Sequence, residues 1–204
     1  MALPSPTDVP RTLLTVGHGT LEADELAELL REAGVEVLVD VRTAPGSRRL
    51  PHFNQADMKR WLPAAGIAYD WERDLGGFRK TTPSSRNVAL RNANFRGYGD
   101  YMETPPFWRA LSRVLAEAAR RQTVVMCSES LWWRCHRRLV ADAAVLVKQF
   151  PVNHLMHNGT QTGHRVTEGA RLTDDGLVRY DAGHAPLLSA DDTEAIDHSS
   201  RSGR

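Results

Sequence analysis

With 204 residues, 41% of them hydrophobic, the chain can bury one substantial core, and a single domain is expected. Its 26 Lys plus Arg against 25 Asp plus Glu leave a formal net charge of +1, which excludes a uniformly basic nucleic-acid binder but not a local basic patch. No stretch approaches the ~18 apolar residues of a membrane span, and two cysteines, Cys127 and Cys135, make no disulfide framework.

The first residues, Met-Ala-Leu-Pro-Ser-Pro, lack the basic start and apolar run of a signal peptide, so a cytoplasmic protein with reduced thiols is expected. Residues 1–10 and 182–204 read as disordered tails around one α/β domain over 11–180. Arg11-Thr-Leu-Leu-Thr-Val16 reads as a buried strand ending in Gly17-His18-Gly19-Thr20, with Thr20 placed to cap the next helix. Leu26, Leu29, Leu30 and Ala33 then form a helical stripe that Gly34 stops. Val35-Glu-Val-Leu-Val-Asp-Val41 lacks alternation, as a central parallel strand covered on both faces does. Strand, helix and strand make a βαβ unit.

Asp40 and Arg42 end the second strand and lead into a turn-rich loop carrying Arg48 and Arg49. Asn54 reads as the cap of a short helix to Pro63 or Ala64, and Gly66-Ile-Ala-Tyr-Asp70 as a third strand. From Leu75 to about Thr104 periodicity fails. This polar excursion, with Arg96, Phe95, Tyr98, Tyr101 and several glycines, reads as an ordered lid that delivers Arg96 to a bound anion. Thr104-Pro-Pro opens a helix with Phe107, Leu111, Val114, Leu115 and Ala118 on its stripe. Thr123 to Met126 is a buried strand ending on Cys127, and a helix runs from about Cys135 to Lys148. Val152 to Met156 is a further strand, Asn158-Gly159 a turn, and Gly163 to Tyr180 a small closing segment.

Together these pieces predict a Rossmann-like three-layer α/β/α domain with a mainly parallel sheet of about five strands. In such folds ligands bind outside the carboxyl ends of the strands, where this chain places His18, Asp40, Arg42, Cys127 and Glu129. A thiol facing a helix N-terminus and arginines ionises easily, so Cys127 reads as a nucleophile with a pKa below the free value of ~8.5. His18 and Glu129 read as acid/base groups, and Arg42, Arg96 and Arg137 as holders of anionic groups. His136 shares a stripe with Val140, Ala143, Ala144 and Val147 and suits either packing or catalysis. Trp132 and Trp133 suit either core packing or stacking on a base. A metal reading would use Cys127, Cys135, His136 and His18, at a spacing unlike paired zinc ligands, so no metal is assigned.

Val16-Gly-His-Gly-Thr20, Val39-Asp-Val-Arg42, Arg48 with Phe53-Asn54, Leu75-Gly-Gly77, Phe95-Arg-Gly-Tyr98, Asp100-Tyr-Met102, Met126-Cys-Ser-Glu129, Cys135-His-Arg137, and His154 with Gly159 and His164 occur in this order. In these pieces, from Leu13 to about Tyr180, the chain resembles the prokaryotic family of domain of unknown function 488. Gly19 stands where that family more often has serine. The resemblance implies a three-layer α/β/α fold and brings no activity. The reading is an enzyme acting on an anionic, nucleotide-like or nucleic-acid-derived substrate, with Cys127, Glu129, His18 and His136 as catalytic candidates. Asp40, Arg42, Arg48, Arg96, Tyr98, Cys135 and Arg137 are the substrate-binding candidates. The alternatives are a non-catalytic nucleotide or nucleic-acid binding module and a metal-stabilised structural domain. The sequence names no cofactor and fixes no oligomeric state.

Overall fold

The computed structural model describes residues 11–183, so the tails expected at 1–10 and 182–204 lie outside the described residues except for Ala182, whose N–H donates to Gly169 O at 3.0 Å, and Gly183. A six-stranded sheet runs in the order β3-β2-β4-β1-β5-β6. Its strands are β1 (Leu13–Gly17), β2 (Val37–Asp40), β3 (Ala68–Trp71), β4 (Thr123–Cys127), β5 (Val152–Leu155) and β6 (Gln161–Gly163). β1 to β5 are parallel throughout, and β6 returns antiparallel to β5 after Gly159, whose φ of 81° makes the turn. The closing segment adds a separate hairpin of β7 (Ala170–Leu172) and β8 (Val178–Tyr180).

Helices cover both faces. Alternate strand residues point to opposite sides. Leu14, Val16, Leu38, Val124 and Met126 pack with Leu26, Leu30, Met58 and Leu62 from α1 (Ala23–Glu32) and α2 (Gln55–Ala64). Leu13, Val37, Val39, Val125 and Cys127 pack with Tyr98, Phe107, Leu111 and Leu139 from α3 (Ala93–Met102), α4 (Pro105–Ala118) and α5 (Arg137–Lys148). This is the three-layer α/β/α arrangement. β4 lies between β1 and β2, yet its chain leaves toward the α5 face while theirs leave toward the α1 and α2 face. The loops beyond β2 and β4 therefore diverge and leave a crevice between them, as at a topological switch point.

The excursion from Leu75 to Thr104 is not all loop: its second half is α3, capped by the Asn92 side chain, which accepts from the N–H groups of Asn94 and Phe95. Helical periodicity is hidden there because Gly97 and Gly99 occupy buried positions where neighbouring chain comes too close for a side chain. A Cβ on Gly97 would sit 2.5 Å from the Arg79 carbonyl oxygen, and one on Gly99 2.9 Å from the Asn87 side chain. Asp100, on the same helix, accepts from Thr82 N (3.0 Å), Asn87 Nδ2 (2.9 Å) and Ser85 Oγ, which fixes the preceding loop.

The expected caps differ in detail. Glu22 rather than Thr20 begins α1, in a reciprocal capping box with Glu25. Asn54 turns its Oδ1 to Ser47 N, and the Thr104 hydroxyl donates back to Tyr101 O. α5 starts at Arg137, because residues 132–134 form a 3-10 turn before it.

Gly97→Ala should destabilise the fold by about 1–3 kcal/mol through overpacking, although helix propensity alone would favour alanine by about 1 kcal/mol. Urea denaturation followed by circular dichroism reads the sign.

Candidate functional site

One wall of the crevice grows from β2. Asp40 is fully buried at the strand end and accepts from Arg42 N (3.0 Å), Arg42 Nε (2.9 Å), Arg42 Nη2 (2.6 Å) and the Tyr69 hydroxyl (3.0 Å). Arg42 Nη2 also donates to the Phe53 carbonyl at 2.8 Å. A bidentate, buried pair of this kind fixes the guanidinium plane. Its remaining nitrogen, Nη1, lies 3.4 Å from His18 Nε2.

His18 stacks on the Phe53 ring at 4.0 Å, and its Nδ1 donates to Gly19 O at 3.0 Å, leaving the Nε2 lone pair toward Arg42. Burial, and then the Arg42 charge, lower its pKa to about 4. His18 is thus neutral at physiological pH and orients Arg42. A base this weak does not fit the general-base role expected near neutral pH.

The opposite wall grows from β4. Cys127 ends the strand, and His18 N and Gly19 N donate to Cys127 O and Ser128 O, both at 3.0 Å. Cys127 Sγ touches Cys135 Sγ at 2.6 Å, and both cysteines are free and buried. Arg137, 1% exposed, sends Nη1 to Cys127 Sγ (2.6 Å) and to Glu129 O, and Nη2 to Ser130 O (2.8 Å). Its fork holds the loop. Gly17 is required beneath it, since a Cβ there would lie 1.8 Å from Glu129 O.

The two sulfurs divide the expected thiolate character unequally. Burial opposes ionisation of both. At Cys135 the hydrogen bond from Cys127, the Arg137 charge and the Arg137 backbone N–H in the first turn of α5 outweigh it, so its pKa falls to about 7. At Cys127 burial is reinforced by the hydrogen bond and negative charge of Cys135, which push its pKa well above the usual thiol range despite Arg137. The pair therefore carries one negative charge near neutral pH. The easily ionised thiol is Cys135, not Cys127 as the sequence implies, because the helix starts at Arg137, whose backbone N–H and guanidinium both favour the Cys135 thiolate.

His136 follows, with Nδ1 3.5 Å from Cys135 Sγ and Nε2 3.2 Å from Val41 O. Donation of Nε2–H to that carbonyl leaves Nδ1 as an acceptor facing the thiol. Burial lowers the His136 pKa, which keeps the ring neutral. Gly77 makes room for it, since a Cβ there would meet Nδ1 at 2.5 Å. Tyr98 packs 5.2 Å from the His136 ring and donates to Leu75 O at 2.8 Å.

Between the walls lies a cavity of about 280 Å³. Of the residues expected at the site, Arg42, Cys127, Glu129, Cys135 and His136 line it. Asp40 and His18 stand behind Arg42, and Arg137 behind Cys127. Tyr98 is core. Arg48 is exposed outside the cavity, and Arg96 turns its Nε to Leu90 O at 3.2 Å. The excursion does cover the crevice, but with Gly77, Phe78, Asn92, Asn94 and Phe95 rather than Arg96.

Sequence reading also missed a buried chain of polar groups beside the site. Thr15 Oγ1 meets His154 Nδ1 (2.7 Å), His154 Nε2 meets His164 Nδ1 (2.9 Å), and His164 Nε2 meets Asp142 Oδ1 (2.9 Å). Trp132 stacks on His154 at 4.0 Å. Burial, followed by His164, lowers the His154 pKa to about 3. The only signal was the histidine pair flanking the Asn158-Gly159 turn. Among the described residues no group of three or more His, Cys, Asp or Glu gathers as metal ligands would, and no helix is long and apolar enough to cross a membrane.

A family model described as "Domain of unknown function DUF488" matches residues 22–144, more than half of the chain. The chain belongs to the DUF488 family. The matched span contains both walls of the cavity, whereas His18 just after β1 and His154 and His164 beyond α5 fall outside it. No curated protein and no solved structure matches.

For this DUF488 protein, iodoacetamide should label Cys135 with half-maximal rate near pH 7, above which the thiolate is populated. The sign on stability agrees. A thiol whose folded pKa lies below its unfolded value of ~8.5 stabilises the fold above that value, and the contribution is lost as pH falls through the folded pKa. In Cys127→Ala the labelling midpoint should rise, because the donor hydrogen bond is gone. Mass spectrometry of the labelled peptide reports both.

Proposed function

We propose that the cavity is the active site of an enzyme that uses the Cys135 thiolate on an anionic, nucleotide-like or nucleic-acid-derived substrate. The observation that carries this reading is the contact of Cys135 with Cys127, Arg137 and His136 at the wall of an open crevice, where the sulfur is buried yet lines the cavity. A thiolate alone is common chemistry. A thiolate joined to a helix N-terminus, an oriented neutral imidazole and a fixed arginine is a constellation that structure alone does not require.

In this reading the Cys135 thiolate, its proton lost to solvent near neutral pH, attacks an electrophilic centre held in the crevice beside the neutral His136 ring. A bond from sulfur to that centre forms, the bond to the leaving group breaks, and the departing atom takes a proton from crevice water. Glu129, exposed at the rim, then activates the water whose attack releases the sulfur. Cys127 acts as the hydrogen-bond donor that steadies the thiolate, and Arg42, set by Asp40 and His18, holds an anionic group of the substrate. The Asn92 and Asn94 side chains supply polar groups on the facing wall. Two adjacent reduced thiols suit a reducing compartment such as the cytoplasm.

Substrate-like anions should protect the thiol. Inorganic phosphate, AMP and ADP are the probes, and at least one should slow Cys135 alkylation several-fold at pH 7. Arg42→Gln should remove that protection while leaving the labelling midpoint unchanged. If none of the three slows labelling of a reactive Cys135, the site does not take a phosphate-bearing substrate.

A further inference from the structure

The crevice does not end at its own wall. Asn92 and Phe95 line it on one side and on the other face a second, larger groove of about 720 Å³, between α3, the 3-10 turn at 132–134 and the segment 165–169. Exposed large aromatic rings are rare on this protein. Among the described residues Phe78 and Trp133 are the two, at 80% and 44% exposure, and they line the crevice and the groove respectively. Trp133 is held in place: its ring meets Trp132 edge-on at 5.6 Å, Trp132 is stacked on the buried His154, and Arg138 Nη1 donates to Trp133 O at 3.1 Å. Trp133 thus keeps 44% of its surface open over the groove on a ring held by its neighbours, a flat face suited to stacking on a base.

Charge points the same way. Arg91, Arg138 and Arg165 line the groove and Arg134 the adjoining crevice, and none of the four pairs with a carboxylate among the described residues. Other arginines of the surface, such as Arg31, Arg60, Arg113, Arg120 and Arg121, do form such pairs. Glu168 is the one acid on the groove wall. Arg138 also lies 4.5 Å over the Phe95 ring, so its charge is set against the partition between the two cavities. The near-zero net charge of the chain thus conceals a local cationic strip with one fixed ring, Trp133, and one exposed ring, Phe78, along it.

We propose that this strip binds single-stranded nucleic acid, with unpaired bases stacked on Trp133 and Phe78 and the intervening phosphates on Arg91, Arg138 and Arg165. Stacking on a flat ring needs bases free of pairing, and the arginine fork suits phosphate. A strand in the groove would lead past Phe95 into the crevice, so one nucleotide would reach Cys135. That last step rests on the thiol reading above. The binding strip itself does not.

The test uses the full chain and fluorescein-labelled oligothymidylate and oligouridylate of about a dozen nucleotides, followed by anisotropy. Binding should weaken about tenfold or more between about 50 and 200 mM salt, as expected for roughly three phosphate contacts to a single strand. Trp133→Ala should lose at least about fivefold in affinity, the lower end for one stacked base, and Arg165→Gln should shrink the log–log salt slope by about 0.7. Preference for the deoxy or ribo strand identifies which source supplies the ligand. Both variants should keep the Cys135 alkylation profile of the parent, which shows that folding and thiol are intact. Equal binding of a duplex of the same length, salt-independent binding, or full affinity in Trp133→Ala would overturn the proposal. Strand binding that leaves Cys135 labelling unslowed would keep the strip and remove the link to the thiol.

Discussion

Arg137 is a cation with 1% of its surface exposed, and the carboxyl edge of the sheet is built around it. Its guanidinium bonds the Cys127 sulfur and the carbonyls of Glu129 and Ser130, so the loop after β4 is tied to the first residue of the next helix. Burying such a charge costs several kcal/mol unless it is paired and hydrogen-bonded; here Nη1 and Nη2 are bonded while the buried Nε has no hydrogen-bond partner among the described residues. The negative charge shared by the two sulfurs offsets that cost. Cation and thiolate therefore stabilise each other where the loop after β4 meets α5.

Neutral imidazoles complete this electrostatic arrangement. His18 and His136 are both lowered by burial, and each directs a lone pair at a neighbour, His18 toward Arg42 and His136 toward Cys135. A protonated ring at either place would face a guanidinium or crowd Arg137. The fold keeps its positive charge on arginines, which do not titrate, and leaves the movable proton to the thiol pair. Asp40 does for Arg42 what the sulfurs do for Arg137, at the end of the neighbouring strand.

The cover over the crevice depends on glycine for a reason of space rather than of bending. Gly77 admits the His136 ring, and Gly97 and Gly99 let α3 lie directly on the loop that precedes it. Asp100 then gathers the N–H and hydroxyl groups of residues 81–87. A segment that looks irregular is in this way fastened at several points, and it brings Asn92, Asn94 and Phe95 to the cavity.

Much of the architecture was legible in the chain because strand and helix periods are local. The mostly apolar runs at Val37–Asp40 and Thr123–Cys127 fit central parallel strands, and the placing of Arg42, Cys127 and Glu129 at one edge follows from strand ends in such a sheet. Three things were decided by tertiary structure alone. α3 escaped because its buried face carries glycines, which answer to a neighbouring backbone and not to the helix itself. The low-pKa thiol moved from Cys127 to Cys135 because it depends on where the first turn of α5 starts and where a guanidinium points, and neither has a sequence period. The Thr15–His154–His164–Asp142 chain was unreadable because its members come from β1, β5, the segment after β6, and α5, and only folding makes them neighbours.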